Sequence, residues 1–344
     1  MDVGYFMSYW GRGPGNKLEL AEEADRLGYS TVWSAEAYGS DAATVLGWLA
    51  GRTERIRLAS GVFQMPARTP AMAAMTTITL DHLSGGRFML GLGVSGPQVV
   101  EGWHGEPYGK PLGRTREYVS IVRSILERSE PVTHQGDHYQ LPYAGDGALG
   151  LGKPLKSITH PLRSDVPIFL ASLGHQNVAL TAEIADGWLP TFWSPSQAAA
   201  IWGDDLAAGF ERSGDAGKRD RFRIVPMVPT VIDDDLDAAR NAAKPGLALY
   251  VGGMGAKGKN FYHDLAARYG YEEAADTIQD LWLDGRQGEA VAAVPDDLVD
   301  EVCLVGPKER VAERLGGWRD AGADELACVI QDVGTLRALA EVAW

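Results

Sequence analysis

The chain has 344 residues, of which 45% are hydrophobic and 23% charged, and its net charge is −14. This composition is ordinary for a globular protein, and no basic cluster could follow a phosphate backbone, so we predict no nucleic-acid partner. No apolar run reaches the roughly 18 residues of a membrane span, and the N-terminus MDVGYFMSYWGRG has strand-like alternation without a basic signal-peptide region. We therefore expect a cytoplasmic protein with no membrane partner, in which Cys303 and Cys328 are buried free thiols.

One local pattern recurs along the chain: a helical stretch ends at a glycine, and a short apolar strand follows. Gly28, Gly85, Gly187 and Gly322 mark four of these junctions, and glycine is the residue that closes a helix in the left-handed conformation. Helices that alternate with strands are typical of βαβ units and a parallel sheet. The expected fold class is therefore α/β.

Eight strands are predicted, several of them as near-continuous apolar runs, which is typical of strands covered on both faces. They lie near Val3–Met7, Thr31–Ala35, Ile56–Val62, Phe88–Leu92, Pro167–Ala171, Trp188–Thr191, Phe222–Val231 and Glu325–Ile330. Eight βα units of uniform composition favour a single (β/α)8 TIM barrel domain over residues 1–344, with a doubly wound sheet as the alternative.

Two connections are much longer than the others. About 75 residues separate the fourth and fifth strands, and about 95 separate the seventh and eighth, which are lengths typical of lids or binding walls. We predict that these insertions, after strands 4 and 7, lie at the C-terminal face, where barrels carry their active sites. Their sequences contain no motif that identifies a substrate.

The stretch GRFMLGLGVSGPQVVEGWHG contains a G-x-G-x-x-G at Gly91, Gly93 and Gly96. A dinucleotide site would require an acid at the end of the next strand, whereas the acid at that spacing, Glu117, lies in a helical stretch. The motif also belongs to the fourth strand rather than the first. We interpret its glycines as permitting close approach of a flat ligand to the backbone.

Other candidate residues follow the predicted strands. Glu36 places a carboxylate after the second strand, either as a functional group or as a helix N-cap, and Gly174 precedes a helix whose free N–H groups could hold an anion. Trp10 and Trp193 follow strands and could line a pocket for an aromatic ring. His134 and His138 have helical spacing but no acid–histidine partner cluster, so no metal site is expected.

The chain resembles the luciferase-like flavin and deazaflavin oxidoreductases, and within them the actinobacterial class that depends on coenzyme F420. The resemblance covers nearly the whole chain. Its most specific segments are VWSAEAYGSDA (32–42), LDHLSGGRFMLGLGVSGPQVVEGWHG (80–105), PLGRTREYV (111–119), LALYVGGMGA (247–256) and AVPDDLVDEVCLVGP (293–307).

The resemblance implies a (β/α)8 barrel, a homodimer and a set of cofactor contacts. A non-prolyl cis peptide at Gly61–Val62 would form a bulge behind the deazaflavin ring. Glu36 would lie near the ring, and the loop of Gly93, Val94 and Ser95 would contact the cofactor. Leu173 and Gly174 would approach its phosphate.

The implied chemistry is hydride transfer between the deazaflavin C5 and a small organic substrate, with Glu36, Tyr9 and Tyr38 as candidate acids. The glucose-6-phosphate enzymes of the family have a histidine where this chain has Ala37, which argues against that substrate. An FMN-dependent monooxygenase and a non-catalytic cofactor-binding barrel are the alternatives.

Overall fold

A computed structural model describes residues 1–344 of the chain. Its strands are β1 (Asp2–Met7), β2 (Thr31–Ser34), β3 (Arg57–Ser60), β4 (Phe63–Gln64), β5 (Phe88–Gly93), β6 (His134–Gln135), β7 (Gln140–Leu141), β8 (Ile168–Ala171), β9 (Gly187–Trp188), β10 (Arg223–Ile224), β11 (Met227–Ile232), β12 (Leu304–Gly306) and β13 (Glu325–Val329). The eight predicted strands are confirmed, with shifted ends, and β4, β6, β7 and β12 were not predicted.

The helices alternate with these strands along most of the chain. They are α1 (Lys17–Leu27), α2 (Ala42–Ala50), α3 (Pro70–Leu83), α4 (Pro97–Gly102), α5 (Pro111–Glu127), α6 (His175–Ile184), α7 (Ala198–Ser213), α8 (Lys218–Arg221), α9 (Leu236–Ala248), α10 (Phe261–Ala266), α11 (Glu272–Leu283), α12 (Gln287–Ala292), α13 (Asp296–Val302), α14 (Lys308–Asp320) and α15 (Val333–Ala343). A short 3-10 turn covers Met65–Ala67, and two π-helical segments cover Leu249–Gly253 and Ala267–Tyr271. None of the helices combines the length and apolar character of a membrane span.

The main sheet is parallel and strongly curled. Its pairings run β10-β9-β8-β5-β3-β2-β1-β13-β11, and β12 adds to β11. Strands β10 and β11 are separated only by Val225 and Pro226, so the run 223–232 pairs with β9 through its first part and with β13 through its second. The pairings therefore lead from β1 around the sheet and back to β1. The predicted α/β class with a parallel sheet is confirmed.

The interior of the curled sheet holds a small apolar cluster, separate from the larger core between sheet and helices. Its members come from alternate positions on the strands, as expected where successive side chains point to opposite faces. The cluster comprises Phe6, Trp33, Ala35, Ala59, Met89, Phe169, Leu189, Val225 and Ala327. Trp33 packs edge-on against Phe169, with ring centroids 5.2 Å apart.

A charged network closes the N-terminal end of this interior. The fully buried Glu325 accepts hydrogen bonds from the Trp33 indole at 3.0 Å, from Arg57 at 3.3 Å and from Arg223 at 3.2 Å. Asp2 bonds to the same two arginines at 3.0 and 3.1 Å. Burial would raise the pKa of the Asp2 carboxyl, but the two guanidinium groups hold it below its usual 3.8. Two carboxylates thus face two arginines, and their charges balance.

The role predicted for Gly187 is wrong. Helix α6 ends at Ile184 with Ala185 as its C-cap, and Gly187 is the first residue of β9. A Cβ there would lie 2.2 Å from the Phe169 ring and 2.7 Å from the Arg223 carbonyl oxygen. Close packing inside the sheet therefore requires this glycine, whereas Gly28, with φ of 88°, does close α1 in the left-handed conformation.

Candidate functional site

The candidate site lies at the C-terminal edge of the parallel strands. Each predicted site residue follows the end of a strand, and parallel strands bring those ends to one edge. After β1 come Tyr9 and Trp10, after β2 come Glu36 and Tyr38, and after β3 come Gly61 and Val62. Strand β5 ends at Gly93 and is followed by Val94 and Ser95. After β8 come Leu173 and Gly174, and after β9 comes Trp193. The structure thus brings the predicted positions to one side of the fold.

We call the open side of the sheet interior at this C-terminal edge the mouth, and the layer of side chains at its base the floor. The floor is apolar. Val62, Ala171, Met227 and Val329 are half-buried and pack on the interior cluster. Three of them stand two positions after Phe169, Val225 and Ala327, so they form the next inward-facing layer. A floor without charged or hydrogen-bonding side chains can support the flat face of an aromatic ring. Displacing water from such an apolar surface is favourable.

The glycines of β5 make room for the neighbouring strand. The Gly61–Val62 peptide is cis, as the resemblance implied. A Cβ on Gly91 would lie 1.9 Å from the Ser60 carbonyl oxygen, and one on Gly93 would lie 2.5 Å from Val62 Cγ2. The space that these glycines open is therefore occupied by β3 and its bulge. That a flat ligand approaches the backbone at these glycines stays a prediction.

Two non-glycine residues at this edge have left-handed backbones, Ser95 with φ of 61° and Phe192 with φ of 55°. Such conformations cost about 1–3 kcal/mol and cluster at functional sites. Ser95 follows β5 in the predicted cofactor loop, and Phe192 lies beyond the end of β9. Their positions support a functional role for this edge of the sheet.

Glu36 is held by Arg68. Its carboxylate accepts hydrogen bonds from both terminal nitrogens of Arg68, one of them at 2.7 Å, and from the backbone N–H groups of Ala42 at 3.1 Å and Gln64 at 3.3 Å. Burial would lower the pKa of Arg68, but the hydrogen bonds and charge of Glu36 hold it above its usual value. A carboxylate with this many donors fixes the ends of β2 and β3 and has little capacity left to transfer a proton.

An unpartnered donor lies beside the predicted cofactor loop. Gln64 is buried and pairs with Gly93 in the β4–β5 ladder. Its Oε1 contacts His104 Nε2 at 3.0 Å, whereas its Nε2 has no hydrogen-bond partner. Leaving a buried amide N–H unpaired costs about 1–3 kcal/mol, so an acceptor on a ligand in this mouth would be stabilising here.

The N-terminus of α6 carries a cationic neighbour. Gly174 is the N-cap of this ten-residue helix, as predicted. Arg268 donates to His175 Nε2 at 3.0 Å, and His175 Nδ1 lies 2.5 Å from an Asp205 carboxylate oxygen. Because arginine can only donate, this pattern assigns the histidine proton to Nδ1. Free N–H groups and a guanidinium close to them favour a bound anion.

The aromatic candidates differ in exposure. Tyr9 leaves 41% of its surface accessible, and Tyr38, 60% exposed, lies with its ring 6.2 Å from that of Trp103. Trp10 is half-buried against the main core. Trp193 is almost completely buried and packs on Trp318 at 5.5 Å, so in this structure it is a packing residue rather than an open wall of the mouth.

The sequence did not point to a group of tyrosines that the second long connection brings to this edge. Tyr250, in the first π-helical segment, has its hydroxyl 3.4 Å from that of Tyr9. Tyr262, at the start of α10, packs edge-on against Tyr250 at 4.8 Å. Asn260 N-caps α10, a role that its position before FYHDLA could have indicated, but nothing local indicates the contact with Tyr9.

His134 and His138 lie apart from the candidate site, on the small β6–β7 hairpin. Glu117 of α5 accepts backbone N–H groups of the hairpin turn at 3.0–3.3 Å, and His134 Nε2 lies 3.2 Å from it. These contacts fasten the hairpin to α5. No group of three or more His, Cys, Asp or Glu side chains in the structure could hold a metal ion.

A curled parallel sheet with a half-buried apolar layer at its C-terminal edge is an arrangement in which a ligand can bind. The family model described as luciferase-like monooxygenase matches residues 1–325, and the chain belongs to this family.

Its relatives include proteins named for coenzyme F420. A protein of Mycobacterium tuberculosis, assigned provisionally by name as a coenzyme F420-dependent oxidoreductase, is 48% identical over 341 residues, which is 99% of this chain and 98% of that protein. Among solved structures, the coenzyme F420-dependent tetrahydromethanopterin reductase of Methanopyrus kandleri superposes with a TM-score of 0.83 at 20% identity, covering 99% of this chain and 97% of that one. An F420-dependent secondary alcohol dehydrogenase gives 0.79 at 19% identity, with 99% and 97% covered. The two structures show that the fold is shared.

Proposed function

We propose that this protein is a coenzyme F420-dependent oxidoreductase that transfers a hydride between the deazaflavin and a small organic substrate. The observation that carries this proposal is the apolar floor of Val62, Ala171, Met227 and Val329 at the C-terminal edge, in a chain 48% identical to a relative named for F420. The bound cofactor supplies the hydride-transfer chemistry at C5, and the protein binds it, orients the substrate and excludes water.

The residues at the mouth fit such a group. The floor would support the ring, with Gly61 and Val62 beneath it. The loop of Gly93, Val94 and Ser95 would contact the ring edge, where the unpaired Gln64 amide would offer a donor to a ring oxygen. Leu173 and Gly174, at the N-terminus of α6, would hold the phosphate, and Arg268 would add a positive charge there.

Glu36 is proposed as a positioning residue rather than as the acid. Its hydrogen bonds to Arg68 and to two backbone N–H groups hold the ends of β2 and β3 against each other. Of the other two candidate acids, Tyr9 is the better placed, because its hydroxyl lies in a concave cluster of tyrosines, whereas Tyr38 projects toward solvent.

Cofactor titration tests the proposal. We expect purified protein to bind F420 tightly, and FMN far more weakly, in fluorescence titrations, and bound reduced F420 to be oxidised when a suitable substrate is supplied. Tight binding of FMN alone would replace the proposal with an FMN-dependent monooxygenase. Tight F420 binding without oxidation across a broad substrate panel would favour a non-catalytic binding protein.

The fold and location complete the proposal. We propose a single (β/α)8 TIM barrel domain over residues 1–344, supported by pairings that return to β1, with insertions after strands 4 and 7 at the C-terminal face. A cytoplasmic location is supported by the two cysteines, which are buried and free. A single cooperative unfolding transition and recovery of the protein in the cytoplasmic fraction are the expected measurements.

A homodimer is proposed from the surface of α2 and α3. In these two helices the only acidic or basic side chains are Asp81, which is buried and paired with Arg163, and His82. Met72 and Met75 are half exposed, and the aliphatic side chains of Leu149, Leu151 and Ile158 project from the first insertion. A chain of net charge −14 repels its copy least through a face without charge. Sedimentation velocity should show a dimer, and Met75→Glu should shift it toward monomer.

A further inference from the structure

Two phenolic hydroxyl groups meet at the mouth of the candidate site. Tyr9 follows β1, and Tyr250 belongs to the π-helical segment Leu249–Gly253 of the second long connection. Their oxygens are 3.4 Å apart. An ordinary O–H···O hydrogen bond spans about 2.5–3.0 Å, so the two groups are adjacent without satisfying each other. Each O–H can therefore turn toward a third oxygen that lies between them.

The pair is held in place from the insertion side. Asn260 donates its amide to the carbonyl oxygens of Tyr250 at 3.1 Å and Val251 at 2.8 Å, and it accepts the Tyr262 N–H at 2.9 Å. The Tyr262 ring packs on the Tyr250 ring, and Phe192 lies 5.8 Å from both. Short π-helical segments are frequent at functional sites, and this one is fixed by a buried side chain.

Both hydroxyls are donors at neutral pH. Burial raises the pKa of Tyr9 and of Tyr250 above the usual 10.0. The contact with Tyr250 partly opposes this rise in Tyr9, whereas Tyr9 and Tyr262 add to the rise in Tyr250. Tyr9 is nevertheless 41% accessible, which is expected for a residue that lines a concave mouth, surrounded by protein atoms yet open to solvent on one side. A proton that it loses can therefore be replaced from water.

The surroundings of the pair favour a neutral ligand. The floor is apolar, and the rings of Tyr262 and Phe192 pack beside the pair. The carboxylates of Glu36 and Asp41 share the single Arg68, at 2.7 and 2.5 Å, so this group keeps a net negative charge and would repel an anionic substrate. An anionic substrate would lose its hydration over the floor with no cation to replace it.

We infer that the Tyr9–Tyr250 pair binds the carbonyl oxygen of a neutral, largely apolar ketone or aldehyde, and that Tyr9 is the catalytic acid of its reduction. This inference rests on the proposed F420-dependent function. The carbonyl carbon gains a hydride and a new C–H bond, and the π electrons of C=O move onto oxygen. That oxygen takes the Tyr9 proton to give an alcohol, while the reduced cofactor loses the two electrons that the carbonyl gains. Alcohol oxidation is the reverse.

Equilibrium binding to protein loaded with oxidised F420 tests the pair without turnover. The probes are cyclohexanone and 4-oxocyclohexanecarboxylate, and the readout is the change in bound-cofactor fluorescence. We expect the neutral ketone to bind more tightly than the carboxylate. Tyr9→Phe and Tyr250→Phe should each weaken ketone binding about 2- to 12-fold, the effect of one hydrogen bond, with F420 affinity unchanged. Tyr143→Phe, an exposed tyrosine whose hydroxyl bonds only locally, is the matched control.

A second measurement separates the two tyrosines. In single turnovers of cyclohexanone with reduced F420, Tyr9→Phe should slow hydride transfer by about 100-fold or more, the contribution of a general acid, and Tyr250→Phe by far less. Unchanged ketone affinity in both variants, or tighter binding of the carboxylate, overturns the inference while leaving the F420 function intact. Failure of the wild-type protein to bind F420 overturns the proposed function, and this inference with it.

Discussion

The two ends of the sheet interior are built on opposite principles. At the N-terminal end, Glu325 and Asp2 face Arg57 and Arg223, so each of these charges has a partner of opposite sign. At the C-terminal end, the layer above the interior is apolar and half-exposed, and the Gln64 amide has no partner. A satisfied charge network resists any rearrangement, whereas an open apolar layer with a spare donor is completed by a ligand. Under the proposed function, stability and binding therefore depend on different ends of the same strands.

The strongest test of this division is Glu325→Ala. Removing the carboxylate leaves two arginines and the Trp33 N–H without their buried acceptor, and breaking a buried ion pair in this way costs about 3–5 kcal/mol. Urea denaturation should show this loss, while F420 affinity per folded molecule stays unchanged. Glu127→Ala, at an exposed position on α5, is the control and should change the free energy of unfolding by less than about 0.5 kcal/mol. Weakened F420 binding at normal stability would contradict the division.

Two glycines of β5 provide a second test of the difference between the two ends of the sheet. Gly91→Ala would drive a methyl group into the Ser60 carbonyl, which cannot move without displacing β3, so we expect a loss of about 3 kcal/mol or more. Gly93→Ala would push the Val62 side chain of the floor, so F420 affinity should fall more than stability does.

Gly317→Ala, in an open position of α14, is the matched control for both glycine variants and should be neutral or stabilising by up to about 1 kcal/mol. The relation between β5 and the floor would need revision if Gly93→Ala left F420 affinity intact.

Glu36→Gln separates a positioning residue from an acid. Glutamine keeps one acceptor but points an amide donor at Arg68 or at a backbone N–H. We expect stability to fall by about 1–3 kcal/mol and hydride transfer to slow by less than about 10-fold once F420 is saturating. A slowing of 100-fold or more in stopped-flow traces, at normal stability, would instead identify Glu36 as the acid.

The smallest expected effect concerns pH. The arginines hold the pKa of Asp2 below 3.8, so this carboxylate contributes stability that is present above pH 3.8 and is lost as the pH falls through its folded-state pKa. Asp2→Asn should therefore lower the free energy of unfolding slightly at pH 7 and flatten its decline below about pH 4. Denaturation curves at pH 7, 4 and 3 measure this, and an equal difference between variant and wild type at all three pH values would exclude it.

Local sequence patterns were sufficient to predict most of the fold. Apolar runs bounded by glycine located the strands, and the Thr69–Pro70 pair located the start of α3, where Thr69 accepts the Met72 N–H. Contacts between distant segments had no such signal. Tyr9 and Tyr250 are 241 residues apart, and nothing near either one encodes their meeting. Glu36 was found because it follows a strand, but its neutralisation by Arg68 depends on how two loops pack.

The left-handed backbone of Phe192 limits which amino acids can replace it. Glycine would relieve the backbone but remove the ring that packs against both Tyr250 and Tyr262, and β-branched residues neither adopt this backbone readily nor supply a ring. Asparagine and histidine tolerate the conformation but fill less of the space. Relatives in which this residue differs should therefore also differ at the two tyrosines. We expect the three positions to vary together when the substrate changes.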